Sequence, residues 1–268
     1  MKYYEMLESF KKYHVEESSL LYLLTEICGI TRTELYTNLN MDINEEKLLK
    51  VLDAIDKYVN NNIPVQYLVG YTYFYGLKIY VNKNVLIPRF ATEEVVHYVI
   101  DLARNMKSPN IIDVGTGSGC IAIALKKHLP DANVTAVDIS NAALDVARKN
   151  ALINDVSINY IQNDLLSGIN DKFDIIVSNP PYIDQNEYVM DLVKNNEPHL
   201  ALFSPENGLY HYRMILDQSR NLLSSNGIII FEIAYNKKQE MLALSKKYYH
   251  NIDVIKDINK NDRIMIIR

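Results

Sequence analysis

Apolar residues recur every three or four positions through the N-terminal part of the chain, and then the rhythm changes. From Lys2 to about Asn62 there is no proline and a single glycine, Gly29. Leu20, Leu21, Leu23, Leu24 and Ile27 mark one helix there, and Leu48, Leu49, Leu52, Ile55 and Val59 mark a second. Asn44, followed by Glu45 and Glu46, reads as the start of that second helix, because its side-chain oxygen can cap free N–H groups and the acids suit the positive end of the helix dipole. A small helical bundle over residues 1–62 follows.

Across 63–88 aromatic and β-branched residues take over, punctuated by Gly70 and Gly76, and Phe74 to Val81 reads as a short β-hairpin linking two parts. From 89 to 268 short apolar runs alternate with helical stretches, the pattern of an α/β fold whose mostly parallel, twisted sheet carries helices on both faces. The predicted strands are Ile111–Val114, Val134–Val137, Ile158–Ile161, Phe173–Ser178, Gly227–Ile233 and Arg263–Ile267. Helices are predicted at Cys120–Leu129, Ala142–Ile153, Leu209–Leu223 and Lys237–Tyr249.

Composition adds mostly exclusions. With 48% apolar and 23% charged residues the chain has an ordinary globular balance. Cys28 and Cys120 stand far apart, and no histidine pair has ligand spacing, so neither a disulfide framework nor a metal site is expected. The N-terminus opens without the apolar run of a signal peptide or membrane span, which leads us to expect a cytoplasmic protein with no membrane association. Net charge is -5 and the lysine pairs are scattered, so the concentrated basic footprint of a nucleic-acid binder is missing.

Candidate chemistry begins at Asp113-Val114-Gly115-Thr116-Gly117-Ser118-Gly119, directly after an apolar strand and directly before a helix. Glycines there let a ligand approach the backbone closely. The spacing differs from the Gly-x-Gly-x-x-Gly that seats a pyrophosphate, but it suits the amino-acid end of S-adenosylmethionine. Asp138 ends the next strand, 19 residues after Gly119, where a carboxylate can accept both ribose hydroxyl protons; a helix cap is the other use of such a residue. Asp113 is either a cofactor contact or a brace for the glycine turn, and Asp164, after the third strand, either an adenine contact or a loop acid.

The strand Phe173–Ser178 runs straight into Asn179-Pro180-Pro181-Tyr182. Two prolines stiffen the backbone and remove two N–H donors, leaving rigid carbonyl acceptors. Such acceptors suit a planar NH2 group, whose lone pair is delocalised and whose nitrogen must be turned toward the methyl donor. Asn179 and Pro180 would accept the two N–H bonds, and Tyr182 would stack on the flat group. An amide or an aromatic amine fits this cradle equally well.

The chain resembles the glutamine methyltransferases of class I peptide-chain release factors. The segments that carry the resemblance are Ile63–Gly70, Val85–Arg89, Asp113–Gly119, Val177–Ile183, Glu197–Leu202 and Asn207–Leu209. It implies a Rossmann-like class I methyltransferase domain, S-adenosylmethionine as cofactor, and methylation of the glutamine side-chain amide in a Gly-Gly-Gln motif. It also implies cofactor contacts from Gly115 to Gly119 and at Asp138, a glutamine cradle at Asn179–Tyr182 with Asn179 near both ligands, and a pocket rim at Arg89 and Thr92. Residues 1–62 would dock the substrate. Phe90-Ala91 replaces a usual Pro-Glu, Leu165 stands where an aromatic often meets adenine, and Ala234 replaces a glycine. Glutamine of a ribosomal protein and the exocyclic amine of adenine in nucleic acid are the alternative acceptors.

Overall fold

The computed structural model describes residues 1–268 and divides into two compact units, Met1–Tyr71 with Val189–Asn196, and Thr72–Tyr188 with Glu197–Arg268. Each has its own apolar core.

In the first unit, α1 (Tyr3–Phe10), α2 (Glu17–Cys28), α3 (Arg32–Thr37), α4 (Glu45–Asn61) and α5 (Val65–Val69) follow one another. Leu20, Leu23 and Leu24 of α2 are fully buried, and Gly29 closes that helix in the left-handed conformation. Asn44 caps α4, its Oδ1 accepting from the Lys47 N–H at 3.2 Å. The apolar stripe expected on α4 needs correction: Val51, Ala54 and Ile55 form the buried face, while Leu49 and Leu52 are exposed. Val51, Ala54 and Ile55 lie three and four residues apart on one face, which Leu49 and Leu52 do not share. The sequence Thr31-Arg32-Thr33-Glu34 carries a capping box that starts α3, a helix the apolar spacing alone does not predict. Residues 65–69, where composition suggested extended chain, are helical instead, starting after Pro64 and ending at Gly70.

The remaining elements are β1 (Tyr71–Phe74), β2 (Leu77–Tyr80), α6 (Phe90–Ala103), β3 (Asn110–Val114), α7 (Cys120–His128), β4 (Asn133–Asp138), α8 (Asn141–Ile153), β5 (Asn159–Gln162) and β6 (Phe173–Ser178). They continue through the short turns α9 (Asp191–Lys194), α10 (His199–Leu202) and α11 (Pro205–Gly208), then α12 (Tyr210–Ser219), β7 (Leu223–Glu232), α13 (Lys238–Ser245), β8 (Ile252–Lys256) and β9 (Asp262–Ile267). The hairpin turns at Tyr75-Gly76, both at positive φ, so Phe74 ends the first strand and does not open the hairpin.

The sheet of the second unit has the order β5-β4-β3-β6-β7-β9-β8. Strands β3 to β7 pair in parallel, and β9 runs antiparallel between β7 and β8. Ile112, Val114, Ile176, Ile229 and Phe231 point into the core shared with α12 and α13, while the alternate residues Ile111, Ile175, Val177, Ile228 and Ile230 are buried on the other face. Burial on both faces explains why these strands read as continuous apolar runs. The main departures from expectation lie toward the C-terminal end. Strand β7 begins at Leu223, paired with Phe173, and so takes the last residue of the predicted helix Leu209–Leu223, which stops instead at Ser219. Helix α13 stops at Ser245, and β8 was not anticipated, because Asp253 and Lys256 interrupt its apolar residues at an exposed sheet edge.

From β3 the chain steps outward through β4 to β5, then crosses back to β6 and β7. The reversal lies between β3 and β6, and the loops leaving those two strands are the glycine turn and the Asn179 segment. A crevice at the carboxyl ends of strands flanking such a reversal is the usual ligand site of open α/β sheets.

Candidate active site

A cleft does open there. Gly115, Gly117, Asp138, Asp164, Leu165, Asn179 and Pro181 line it, together with Asn84, Val85, Leu86, Val137, Ile139, Ser140, Ala143, Asn163, Pro198, Leu200, Ala201 and His211. Asp113, Thr116, Ser118 and Gly119 of the glycine segment and Pro180 of the Asn179 segment lie outside the lining.

The glycine turn is fixed by short-range bonds. The Gly115 and Thr116 N–H groups donate to the Val137 carbonyl at 2.8 and 2.9 Å, and the Gly119 N–H donates to the Thr116 carbonyl at 2.8 Å. Asp113 is completely buried, and its Oδ2 accepts from Thr116 Oγ1 at 2.6 Å and from the Ala122 N–H at 3.3 Å. It therefore braces the turn and the start of α7. Burial pushes its carboxyl up to about 7.

A Cβ at Gly115 or Gly117 would meet nothing within 4 Å, whereas one at Gly119 would come within 2.9 Å of the Ala147 Cβ. The first two glycines keep the backbone open toward the cleft; the third lets α7 and α8 pack closely. Asp138 Oδ2 accepts from the Gly117 N–H at 2.8 Å, and Oδ1 accepts from the Ser140 N–H at 2.9 Å. The cap of α8 is Ser140, whose Oγ accepts from the Ala143 N–H, so Asp138 does not serve as the helix cap. Burial raises the Asp138 carboxyl, and the backbone N–H groups of Ser140, Gly117 and Ile139 oppose that rise.

Beyond Asp138, Asp164 is exposed at the cleft and Leu165 is half-buried with φ 50, a left-handed conformation held by Asn163, whose Nδ2 donates to the carbonyls of Leu165 and Ser167. An open backbone turn, a carboxylate, and the apolar Val137, Ala143, Ile139 and Leu165 in sequence around one cleft fit a ligand with a charged amino-acid end, a ribose and a flat base.

On the facing side Asn179 is half-buried and Pro180 buried. No N–H or O–H of the chain donates to the Pro180 carbonyl. Asn179 Nδ2 donates to Thr92 Oγ1 at 3.2 Å, and Thr92 Oγ1 donates to Glu232 Oε2 at 2.6 Å. Thr92 is buried in the first turn of α6 and does not line the cleft. Glu232, also buried, has its carboxyl raised by desolvation. Tyr182 packs against the core beside Tyr212 and likewise lies outside the lining; burial and the nearby Glu232 push its phenol up to about 12, so it stays neutral.

Two further contacts fix the chain around the cleft. Arg89 Nη2 pairs with the buried Glu197 at 2.5 Å, and Glu197 also accepts from the Ile87 N–H at 3.0 Å, so the chain before α6 is tied to the chain before α10. Gly208, at φ 84, lies so close to the Tyr182 carbonyl oxygen that any Cβ would overlap it. His211, which the sequence does not mark as a cleft residue, is half-buried with its Nδ1 at 2.8 Å from Ser204 Oγ and its pKa lowered by burial. A lone histidine gave no signal. Val85, Leu86, Pro198, Leu200 and Ala201 did, since they fall in the segments Val85–Arg89 and Glu197–Leu202, in which only Arg89 was given a role. No cluster of His, Cys, Asp and Glu could hold a metal ion, and no helix is long and apolar enough to cross a membrane.

The pattern described as methyltransferase small domain matches residues 96–202, and that described as PrmC N-terminal domain matches residues 7–70. A solved 16S rRNA N2 G1207 methyltransferase from T. thermophilus, in complex with AdoMet and guanosine, shares the fold with a TM-score of 0.55 at 14% identity, over 74% of this chain and 49% of that one. Fold and site define a class I methyltransferase that uses S-adenosylmethionine. A release factor glutamine methyltransferase of Flavobacterium psychrophilum is 40% identical over 93% of this chain and 91% of its own. One of Lactococcus lactis is 42% identical over 87% of each chain. The chain belongs to the release factor glutamine methyltransferase family.

Proposed function

We propose that this protein methylates the side-chain amide nitrogen of the glutamine in the Gly-Gly-Gln motif of class I release factors, in the cytoplasm. The observation that carries the reading is the position of Asn179-Pro180-Pro181-Tyr182, rigid and directly after β6, next to the glycine turn after β3. S-adenosylmethionine, when bound, supplies an electrophilic methyl group on its sulfonium.

Gly115 and Gly117 present open backbone to the amino-acid end of the cofactor, Asp138 accepts from its ribose, and Asp164 and Leu165 border its base. Thr116, Ser118, Gly119 and Asp113 hold that turn in shape. Asn179 Oδ1 and the Pro180 carbonyl accept the two N–H bonds of the glutamine amide. As the nitrogen attacks, the N–CH3 bond forms while the methyl–sulfur bond breaks with its electron pair left on sulfur. Positive charge grows on the nitrogen and its hydrogens, these two oxygens stabilise it, and one N–H proton is then lost to water. Pro181 borders the same space, and Tyr182 supports it from the core side. Arg89 keeps the entrance segment in place through Glu197. The helical residues 1–62 are assigned to docking of the protein substrate, with 63–88 as a linker to the catalytic residues 89–268.

The test is transfer of labelled methyl from S-adenosylmethionine to a panel of acceptors: a release factor, its Gly-Gly-Gln Gln→Ala form, ribosomal proteins and RNA. Label is expected on the unaltered release factor alone. Equal label on the Gln→Ala form, or label on RNA or a ribosomal protein instead, would overturn the proposal.

A further inference from the structure

Asn179 can act as an acceptor only if its amide presents oxygen to the substrate, and the two ends of an amide are nearly the same size. Something must choose between them. Thr92 contacts Asn179 from the buried side, 3.2 Å from Nδ2. A threonine hydroxyl has a single hydrogen, and here it is committed to Glu232 Oε2 at 2.6 Å. Toward Asn179 the hydroxyl therefore offers only lone pairs, which pair with an NH2 group and repel a carbonyl oxygen. Nδ2 turns inward and Oδ1 is left facing the cleft.

If the hydroxyl hydrogen were free, it could donate to Oδ1 and stabilise the reversed amide, which would set an NH2 group of Asn179 against the NH2 group of the substrate. The three residues come from distant parts of the chain, the first turn of α6, the end of β6 and the end of β7. Ser178 pairs with Phe231, so Asn179 and Glu232 are the next residues on neighbouring strands. The Glu232 carbonyl accepts from Tyr212 Oη at 2.7 Å, which holds that strand end against the core.

We propose that Thr92 and Glu232 are positioning residues that set the direction of the Asn179 amide and thereby fit the site to accept, not donate, hydrogen bonds. The inference rests on the acceptor role given to Asn179 above.

Steady-state turnover on a release factor, with cofactor binding followed separately by calorimetry, tests it. Thr92→Val keeps the shape and removes the hydroxyl; kcat is expected to fall about tenfold to a hundredfold, the scale of a misoriented reacting group, while KM for the release factor and Kd for the cofactor change by no more than about twofold. Thr92→Ser restores the hydroxyl and is expected to recover most of kcat. Glu232→Gln leaves an accepting oxygen but adds a competing donor, and is expected to give a smaller loss of the same kind. Wild-type kcat in Thr92→Val, a Thr92→Ser as defective as Thr92→Val, or a cofactor Kd that weakens as much as kcat falls would each overturn the proposal. Should Thr92→Val fail to fold, the Thr92→Ser and Glu232→Gln pair decides alone: kcat unchanged in Glu232→Gln refutes the relay. Failure of the unaltered protein to label any release factor would refute the function proposed above instead.

Discussion

The two walls of the cleft are built in different ways. On the cofactor side, Asp113 reaches Thr116 three residues on and Ala122 nine residues on, and the Gly119 N–H closes back on Thr116. On the acceptor side, Asn179 is held by Thr92, 87 residues earlier, Thr92 by Glu232, 140 residues later, and Arg89 by Glu197 across 108 residues. One wall is written into a heptapeptide, the start of α7 that follows it and the adjacent strand β4; the other exists only once β6, β7 and α6 have come together. Changes on the first wall should therefore act on cofactor affinity or local packing, and changes on the second on turnover.

The sharpest way to break this contrast is Asn179→Ala. Loss of a preorganised acceptor is expected to cut kcat by about a hundredfold to a thousandfold, while cofactor Kd from calorimetry changes little. Equal losses in both would make Asn179 chiefly a cofactor ligand and merge the two walls.

Gly208→Ala tests the acceptor wall through packing. The new Cβ would overlap the Tyr182 carbonyl at a backbone φ of 84, so overpacking and left-handed strain add, and a loss of about 3 kcal/mol in denaturant unfolding is expected together with reduced turnover. Wild-type stability would mean that the turn at α11 yields easily and does not hold Tyr182.

The glycines of the cofactor wall separate from one another. Gly119→Ala, facing the Ala147 Cβ at 2.9 Å, is expected to cost about 2 kcal/mol of stability. Gly117→Ala meets open space, so its stability cost is about 1 kcal/mol from the backbone conformation, yet it intrudes on the cleft and weakens cofactor binding more than Gly119→Ala does. Titration of both variants with cofactor, beside their unfolding curves, checks the reversal of order. Asp138→Asn is expected to raise cofactor Kd about tenfold, the scale of one hydrogen bond to a charged group, with little change in kcat at saturation.

The smallest effect is a slope. Burial holds the Asp113 carboxyl at about 7 in the folded chain, above its ordinary 3.8. Between these values the folded chain keeps a proton that the unfolded chain has released. The stability contributed by this group is therefore complete below about 3.8 and is lost as pH rises through about 7. Asp113→Asn should flatten that part of the fall in unfolding free energy with pH; an unchanged slope would place the titration elsewhere.

The same contrast explains what could be read from the sequence. Strands β3, β4 and β6 are buried on both faces, so their apolar runs stood out, and the glycine turn and Asp138 were visible because their spacing is local. Asn179–Tyr182 was visible as a stiff acceptor segment, but the partner of Asn179 was not. Thr92 drew notice only through resemblance to the family and as a rim residue, whereas it lies buried behind Asn179. Glu232, inside an apolar strand, gave no sign that its carboxylate would turn toward α6. Asp113 was left open between contact and brace, and its bonds to Thr116 and Ala122 make it a brace. Where elements were misread, tertiary pairing decided: Leu223 joined a strand because Phe173 lies beside it, and Leu49 and Leu52 turned outward because Val51, Ala54 and Ile55 took the inner face.

The most direct measurement is fragmentation mass spectrometry of a release factor treated with this protein and S-adenosylmethionine, locating the added methyl to one atom. The expected result is a single methyl on the side-chain amide nitrogen of the Gly-Gly-Gln glutamine, absent when Asn179→Ala is used under the same conditions. A methyl on a carboxylate, a lysine or a backbone nitrogen, or one that persists undiminished in Asn179→Ala, would contradict a cradle built to accept the two hydrogens of a planar amide.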